Sequence, residues 1–357
     1  MIRICEMVLP GHPDKFSDQV ADAIVAECLS VDPDAYCQVE VGVWSDQVWL
    51  SGGTCTRKPL GRSLADIVVE VGLATGYRPG NHVDATRYKV SDAVCQLEGD
   101  PTQWTHQVND QCIVIGWAGY DERTRWMPPE HFMAEALRRG LYESCQHGLL
   151  SGCGPDGKLM VRLREEGPRW IVEHILVSLQ QPRDAQFPAV CEHIAAVLRS
   201  VYERCREGDR RWLAGWERIE LLLNPNGPIV EGGSDGDNGQ TGRKLVMDFY
   251  GPRVPIGGGA LSGKHPTHID RLASFAARDA AVQAVKTGAQ ECLIRLAYAP
   301  NVTEPLDIAY EMTGRGHRMP SGFFEHGSMR QRYRACLRPI HDLCGDGLDL
   351  WRPAKGA

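Results

Sequence analysis

The sequence predicts an α+β fold, because strand-like and helix-like segments are mixed without a regular βαβ alternation. The clearest strand signal is the alternating run 39–44 (VEVGVW), followed by a polar turn and the run 48–51, which together predict a β-hairpin. The clearest helix signal is residues 16–29, whose apolar residues are spaced as on one helical face. A length of 357 residues favours two or three structural units.

The remaining elements follow from apolar periodicity and from turn residues. Further helices are predicted at 62–75, 84–95, 129–145, 185–206, 267–287 and 328–337. Further strands are predicted at 113–117, 159–163, 170–178, 219–223, 245–250, 293–298 and 306–311. Gly76 is predicted to end the second helix, and Thr267 and Asp270 to begin the 267–287 helix as in a capping box. The link 98–108 is predicted to be polar and irregular, the turn NPNG at 224–227 marks a domain boundary, and the tail from Gly345 is predicted to fray.

Composition excludes several classes of protein. A formal net charge of −7 argues against a nucleic-acid-binding protein, which would carry a basic patch. The 13 cysteines are odd in number and never form CxxC, which indicates reduced thiols and a cytoplasmic location. No apolar run reaches the ~18–20 residues that a membrane span needs, and the first residues lack the apolar core of a signal peptide. The sequence therefore predicts no nucleic-acid or membrane partner.

The glycine- and aspartate-rich stretch 232–244 (GGSDGDNGQTGRK) is the strongest functional signal. Glycine allows close approach of the backbone to an anion, and aspartate is a usual ligand of Mg²⁺ that bridges phosphate oxygens. Arg243 and Lys244 add positive charge. The stretch predicts a cradle for a metal–polyphosphate, although a solvated turn is the alternative.

Two earlier segments add candidate ligands. His12, Asp14 and Lys15 precede the first helix, whose free N–H groups could bind an anion, although a plain helix-entry turn is the alternative. Glu40 is a candidate ligand on a predicted strand, although its spacing alone favours a solvated strand face.

A second glycine loop at 257–264 fits GxxxxGK, the start of a P-loop. The Ser or Thr that a P-loop needs next is replaced by His265, and Pro266 delays the helix. A P-loop NTPase is therefore the less favoured interpretation. The two glycine loops, together with His12 and Asp14, instead predict a polyphosphate site built from distant segments.

Three motifs together resemble the signatures of methionine adenosyltransferases (S-adenosylmethionine synthetases). They are GHPDK at 11–15, GDNGQTGRK at 236–244 and GGGALSGKHPTHIDR at 257–271. NDQ at 109–111 and PDGK at 155–158 are weaker matches, and the resemblance covers about residues 6–311. It implies three similar α+β subdomains related by pseudo-threefold symmetry, here expected at 1–98, 109–225 and 226–357.

The resemblance also implies a reaction and an assembly. ATP, L-methionine and water give S-adenosylmethionine, pyrophosphate and phosphate, with two Mg²⁺ ions per site and K⁺. The implied protein is a homodimer, possibly a tetramer, with active sites at the subunit interface. The thioether of methionine attacks C5′ of the ribose without a general base, so catalysis depends on alignment and on stabilising the charge of the leaving tripolyphosphate.

Carried over position by position, the resemblance gives each matched residue an expected role. The expected contacts with ATP and its phosphates are His12, Asp156, Lys158, Gln180, Ile229, Arg243, Lys244 and Lys264. The expected catalytic residues are His12, which would bond the oxygen that leaves C5′, Lys158, Arg243 and Lys264. The expected methionine-binding residues are Thr54, Asp110, Asp237 and His268. The expected metal ligands are Asp14 and Asp270 for Mg²⁺ and Glu40 for K⁺.

The chain departs from the family pattern in the methionine and adenine half of the site. Thr54 stands where the family has Glu, His268 where it has Lys, and Ile229 where it has an aromatic residue. The loop over the site is shortened to 99–109, and the aromatic C-terminal signature is absent after Glu311. An active adenosyltransferase is favoured. The alternatives are a catalytically weak homologue that binds ATP or polyphosphate, and an adenosyltransferase for another thioether or nucleotide.

Overall fold

The computed structural model of the chain describes residues 1–79 and 83–333. Its strands are β1 (Ile2–Val8), β2 (Tyr36–Trp44), β3 (Gln47–Cys55), β4 (Lys89–Gln96), β5 (Cys112–Gly119), β6 (Gly157–Glu166), β7 (Arg169–Leu179), β8 (Glu220–Leu223), β9 (Gly239–Gln240), β10 (Ala289–Tyr298) and β11 (Asp307–Gly314). Its α-helices are α1 (Pro13–Val31), α2 (Leu64–Thr75), α3 (Thr102–Thr105), α4 (Pro129–His147), α5 (Phe187–Gly208), α6 (Leu245–Asp248), α7 (Ile269–Lys286) and α8 (His326–Tyr333). Hairpins and helices are mixed without regular alternation, so the predicted α+β class is confirmed.

The strands form three sheets, with orders β4-β3-β2-β9, β1-β6-β7-β8 and β11-β10-β5. Helices α1 and α2 pack on the first sheet, α4 and α5 pack with the second, and α7 packs on the third. The three units are thus each a sheet backed by helices, which confirms the predicted architecture. The domain bounds 1–98, 109–225 and 226–357 stay a prediction.

Strands are exchanged between these units. Strand β1, at the start of the chain, pairs with β6 from Ile2↔Arg164 to Val8↔Lys158. Strand β5 pairs with β10, about 170 residues later in the chain. The short strand β9 joins the edge of β2. Each sheet therefore contains a strand that is distant in sequence from the rest of it.

Small residues let α7 lie close to its sheet. The helix buries Ala273, Ala276, Ala277 and Ala280, each 0 % exposed, against β5 and β10. A Cβ added at Gly116 of β5 would lie 2.1 Å from the backbone of Ala277, so the two backbones approach too closely for any side chain there. This packing fixes the start of α7, where predicted phosphate ligands lie.

The sheet of β2 and β3 leaves its other face open. Along β2, Val39, Val41 and Val43 are buried beneath the helices, as the alternating pattern predicts. On the opposite face Trp44 and Trp49 are 49 % and 48 % exposed. Two large apolar side chains are therefore left uncovered in the single chain.

Two element predictions are wrong. Residues 84–95, predicted as one helix, form a single 3₁₀ turn (Ala85–Arg87) and then most of strand β4, which pairs in parallel with β3. The apolar residues Val90, Ala93 and Val94 have helical spacing, but the ladder to β3 satisfies the backbone instead. Residues 245–248, predicted as strand, form the short helix α6.

Other predictions need smaller corrections. The 267–287 helix forms as α7, but its N-cap is His268, whose Nδ1 accepts the Asp270 N–H at 3.2 Å. The irregular link 98–108 contains the four-residue helix α3. Residues 334–337 of the last predicted helix and the tail from Gly345 lie outside the described residues.

No disulfide joins any cysteine within residues 1–79 and 83–333. In the same ranges, none of the helices combines the length and the apolar character that crossing a membrane requires.

Candidate active site

Both glycine loops are attached to the free edge of β2. Gly239 and Gln240 pair with Val43 and Gly42, and Thr241 N–H donates to the Val41 carbonyl at 3.0 Å. Further along the same edge, Val39 N–H donates to the Gly263 carbonyl at 2.9 Å. The structure therefore brings together the two motifs that the sequence separates. Glu40, which is exposed, lies on β2 between the two loops.

His12 is a buried neutral imidazole at the head of α1. It is the helix N-cap, and its Nδ1 accepts the Asp14 N–H at 3.2 Å. Burial, together with the charges of Lys244 and Lys158, lowers the pKa of His12 to about 4. Because Nδ1 is an acceptor, Nε2 carries the proton, and within the described residues this buried Nε2 has no hydrogen-bond partner. His12 therefore holds an unused N–H donor.

Asp14 is 1 % exposed and is surrounded by cationic groups. Its Oδ2 accepts a hydrogen bond from Lys244 Nζ, and its Oδ1 lies 3.6 Å from Arg243 Nε. Oδ1 also accepts the Gln240 N–H at 3.0 Å. Burial alone would raise the pKa of Asp14, but these hydrogen bonds and charges hold it below its ordinary value. We call His12, Asp14, Arg243 and Lys244 the Asp14 cluster.

Three more predicted residues border the Asp14 cluster. Lys158, near the start of β6, is exposed, and its positive charge acts to lower the pKa of both His12 and Asp156. Asp156 Oδ2 accepts the Gly233 N–H at 2.9 Å, and burial raises the pKa of this carboxyl to about 6. The exposed Asp237 adds negative charge near His12 and Asp156.

A second group, the Asp270 cluster, consists of Lys264, His268 and Asp270. Lys264 Nζ lies 2.5 Å from Asp270 Oδ2. Burial lowers the pKa of His268 to about 3, with a further contribution from Lys264, so this ring is neutral. Its Nε2 is buried without a hydrogen-bond partner in the described part of the chain, as in His12. His268 is therefore a donor here and not the cation that the matching lysine would supply.

Asp110 and Glu40 border the Asp270 cluster. Asp110 is exposed, and it acts together with Asp270 to raise the pKa of the intervening Cys112 thiol, after burial itself. Burial also raises the pKa of Glu40, which the charge of Lys264 opposes. Both predicted residues thus lie near Lys264 or Asp270.

The two clusters are separate within one chain. Asp14 is paired with Lys244, and Asp270 is paired with Lys264. Asp14 and Asp22, which contacts the second glycine loop, are eight residues apart on α1, which is about 12 Å of helix. Within residues 1–79 and 83–333, no three His, Cys, Asp or Glu side chains form a metal-binding group. The loop bonded to Asp14 pairs with Gly42 of β2, and the loop that carries Lys264 pairs with Gln38, about 13 Å further along the strand. The two predicted Mg²⁺ ligands therefore belong to different positions along β2.

Thr54, Gln180 and Ile229 make other contacts. Thr54 is 3 % exposed, and its hydroxyl donates to Gln96 Oε1 at 3.1 Å. Gln180 forms a β-bridge with Ile229, and its side-chain amide donates to the Val230 carbonyl at 3.1 Å. These three predicted methionine and adenine contacts thus bond to neighbouring residues of the same chain.

A cavity of about 580 Å³ lies near the predicted nucleotide contacts. Its lining includes Pro155, Gln181 and Val230, each adjacent in sequence to a predicted contact, but not Asp156, Gln180 or Ile229 themselves. We therefore do not assign the nucleotide to this cavity.

Sequence reasoning missed three residues that hold the glycine loops. Asp18 and Asp22 of α1 accept backbone N–H groups from Gly242 and Gly263, and Arg271 donates to the Lys264 carbonyl. A signal was present, since Asp14, Asp18 and Asp22 recur every four residues on a largely apolar helix.

The fold and the site together define a protein built to bind a polyphosphate with metal ions. Two glycine loops present Arg243, Lys244 and Lys264 next to single carboxylates, and single carboxylates combined with substrate phosphates are the usual environment of Mg²⁺. Family models agree with this class along most of the chain. The N-terminal, central and C-terminal domains of S-adenosylmethionine synthetase match residues 1–98, 105–229 and 231–325, respectively.

Relatives give the same result. An S-adenosylmethionine synthase of Paracoccus denitrificans is 34 % identical, and the match covers 94 % of this chain and 89 % of the relative. One of Rhodospirillum centenum is 33 % identical over 87 % and 80 % of the two chains. An unusual S-adenosylmethionine synthetase structure from Campylobacter jejuni superposes with a TM-score of 0.83 over 98 % of this chain and 94 % of that one, at 23 % identity, which supports the fold. The chain belongs to the S-adenosylmethionine synthetase family, and the predicted methionine adenosyltransferase function is confirmed at that level.

Proposed function

We propose that the chain joins ATP and L-methionine at a site formed by the Asp14 cluster of one copy and the Asp270 cluster of a second copy. The methionine sulfur forms a bond to C5′ of the ribose while the bond from C5′ to the triphosphate oxygen breaks. Water then splits the bound tripolyphosphate into pyrophosphate and phosphate. The observation that carries this proposal is that the loops of the two clusters attach four residues apart on β2, at Gly42 and at Gln38.

The protonation states suit this chemistry. A neutral His12 with a free Nε2–H can donate to the oxygen that leaves C5′, where negative charge develops. Lys158, Arg243, Lys244 and Lys264 would bind the phosphate oxygens. No described group needs to act as a general base on the thioether, because that sulfur is already nucleophilic.

The carboxylates fit the metal ions that the family implies. Asp14 and Asp270 each have a lysine ammonium on Oδ2, so both positions already attract a cation. Mg²⁺ held by one carboxylate and by phosphate oxygens would neutralise charge on the polyphosphate. Glu40, between the two loops, is the proposed K⁺ ligand.

A homodimer, possibly within a tetramer, would complete the site and cover apolar surface. The open sheet face with Trp44 and Trp49 is suited to burial against a second copy. The free thiols of the described cysteines support a cytoplasmic location.

A second candidate is an adenosyltransferase with broader thioether use. Thr54 is buried and bonded to Gln96, so this position supplies no carboxylate for the methionine ammonium. Loss of one charge-assisted hydrogen bond weakens binding by about 1.5–3 kcal/mol. Weak methionine affinity and use of longer S-alkyl homocysteines are therefore expected.

One experiment tests both candidates. Purified protein is incubated with ATP, Mg²⁺ and either methionine or ethionine, and the products are identified by mass spectrometry and phosphate analysis. S-adenosylmethionine with pyrophosphate and phosphate is expected, with ethionine used within about ten-fold of methionine by kcat/KM. Formation of ADP and phosphate alone would contradict the adenosyl transfer, and strict methionine use would remove the second candidate.

A further inference from the structure

Three buried aspartates on α1 hold the two glycine loops. Asp14, Asp18 and Asp22 are four residues apart, so they lie on one face of the helix, and each is at most 1 % exposed. Each accepts one backbone N–H across the gap to a loop. The donors are Gln240 to Asp14 Oδ1 at 3.0 Å, Gly242 to Asp18 Oδ1 at 2.8 Å and Gly263 to Asp22 Oδ1 at 2.9 Å. We call this set the aspartate ladder.

The last two of these bonds lie immediately before phosphate-binding residues. Gly242 precedes Arg243, and Gly263 precedes Lys264. Both glycines have φ +77°, a conformation that other residues rarely adopt. A Cβ at Gly263 would lie 2.2 Å from the Val39 carbonyl oxygen, so the loop also has no room to shift toward β2. The position of each N–H therefore determines where the next side chain begins.

The two aspartates are themselves held in place. Asp18 Oδ2 lies 2.9 Å from Lys15 Nζ, which also lies 2.8 Å from Asp248 beyond the first loop. Asp22 faces the positive charge of Arg271, a residue of α7 that is 0 % exposed. Arg271 Nη1 donates to the Lys264 carbonyl at 2.7 Å. The Gly263 N–H and the Lys264 carbonyl, at the end of the second loop, are therefore bonded to α1 and α7, respectively.

We propose that Asp18 and Asp22 are positioning residues, which set Arg243 and Lys264 for the tripolyphosphate without touching it. The four-residue spacing fixes the two anchoring points about 6 Å apart along the helix. The inference rests on the proposed function for the ligand that these loops bind. Under that function the loops belong to two different composite sites, so Asp18 serves one site and Asp22 the other.

The chain offers a sharp comparison at Asp22. Its Oδ2 has no hydrogen-bond partner in the described part of the chain, so Asp22→Asn keeps the acceptor for Gly263 and loses only charge. Asp22→Ala removes the acceptor. Asp209 provides a control, since it is 6 % exposed, accepts the Arg211 N–H at 3.0 Å and lies far along the chain from both loops.

The readout is tripolyphosphate binding to the folded protein, measured by calorimetry with Mg²⁺ present. Asp22→Ala is expected to lower the affinity by about ten-fold or more, because a misplaced Lys264 loses a charge-assisted hydrogen bond. Asp22→Asn is expected to restore most of this affinity, and Asp209→Ala to leave it unchanged. The fitted stoichiometry separates a loss of affinity from a loss of folded protein. Wild-type affinity in Asp22→Ala would overturn the proposal.

Hydrogen exchange measured by mass spectrometry tests the ladder without any ligand. In the wild type, the Gly242 and Gly263 amides are expected to exchange more slowly than that of Gly258, which is exposed in the second loop. Asp22→Ala should accelerate exchange at Gly263 and leave Gly242 unchanged, and equal exchange at all three glycines would overturn the ladder. A wild type that neither binds tripolyphosphate nor makes S-adenosylmethionine would refute the proposed function, while this exchange pattern would still decide the ladder.

Discussion

His12 caps a helix and is also a proposed catalytic residue. Its Nδ1 caps α1, which fixes the tautomer and aims the Nε2–H away from the helix. Burial and two nearby lysines keep the ring neutral at physiological pH. The same ring is thereby held rigidly and is ready to donate.

His12→Asn is expected to lower kcat by about 10²-fold with little change in the KM for ATP, since the lost bond strengthens as the oxygen leaves. Asparagine is itself a good N-cap, so α1 should persist. Steady-state kinetics and circular dichroism measure the two effects. An effect confined to KM would instead place His12 in ground-state binding.

The buried His131 of α4 should make the stability of the folded protein depend on pH. The buried ring donates from Nε2 to the Met247 carbonyl at 2.8 Å, and burial lowers the pKa of His131 below its ordinary value of 6.5. A histidine whose folded-state pKa is lowered stabilises the fold above the unfolded-state pKa, and this contribution is lost as pH falls toward the folded-state pKa.

The wild type is therefore expected to lose stability as pH falls below about 6.5, by up to about 1.4 kcal/mol per pH unit from this residue. His131→Gln keeps a donor but does not titrate, so its loss over the same range should be smaller. Urea unfolding at pH 7.5, 6.5 and 5.5 measures this difference. Parallel curves for the two proteins would exclude His131 as the cause.

At the scale of elements, segment 99–109 is fixed and not a free loop. Arg57 links it to the body of the first unit, with Nη2 at 2.9 Å from Asp100 and Nη1 at 2.8 Å from Asp32. Trp104 of α3 packs against Tyr36 with ring centroids 5.4 Å apart. At its end, Val108 is 0 % exposed. The shortened segment is thus a wall beside β2.

Hydrogen exchange across 100–106 should accordingly be similar with and without ATP and a methionine analogue. Arg57→Ala is expected to accelerate exchange there with little change in overall stability. The Arg57 side chain is 44 % exposed, and the buried Asp32 carboxylate keeps the backbone N–H groups of Asp34 and residue 57 as donors. Lys89→Ala, which removes another exposed ion pair, to Asp46, serves as the control. Marked protection on ligand binding in the wild type would show a moving lid instead.

Particular elements show how far the sequence could be interpreted. Helix α1 was predictable because its apolar spacing agrees with its packing. Strand β4 was not, because helical spacing of three apolar residues outweighed a parallel pairing with β3 that no local pattern reveals. The short helix α6 was predicted wrongly for a similar reason, since a brief apolar run fits either a strand or a helix.

The site was predictable in its residues but not in its arrangement. Motifs identified Asp14 and Asp270, but their separation depends on how the two loops attach to β2 and α1. The tertiary pairing also determined that Thr54 bonds to Gln96 of a neighbouring strand. Residue type and spacing carry no information about such contacts.

At the scale of the whole molecule, the two clusters give a test of assembly. If the site is formed by two copies, Asp14→Asn and Asp270→Asn should each abolish synthesis, because each removes one metal ligand. In a mixed dimer of the two variants, one site carries both substitutions and the other carries neither. Random mixing should therefore restore about a quarter of wild-type activity.

Co-expression with two affinity tags, followed by purification on both tags in turn, isolates the mixed dimers, which should have about half of wild-type activity. The reference is a dimer of one chain that carries both substitutions and one wild-type chain. It contains one intact chain, but each shared site carries one substitution. No recovery on mixing, with both single variants folded, would place the complete site within one chain.

The exchanged strands constrain how the chain is made. Strand β1 is synthesised before its partner β6, which follows some 150 residues later. Until then a strand with Ile2 and Ile4 has an unpaired edge that other nascent chains can join. The first unit is thus not a separable module, and its excision would remove a strand from the second sheet. Biogenesis of this enzyme should depend on chaperones that shield β1 until β6 (Gly157–Glu166) has been synthesised.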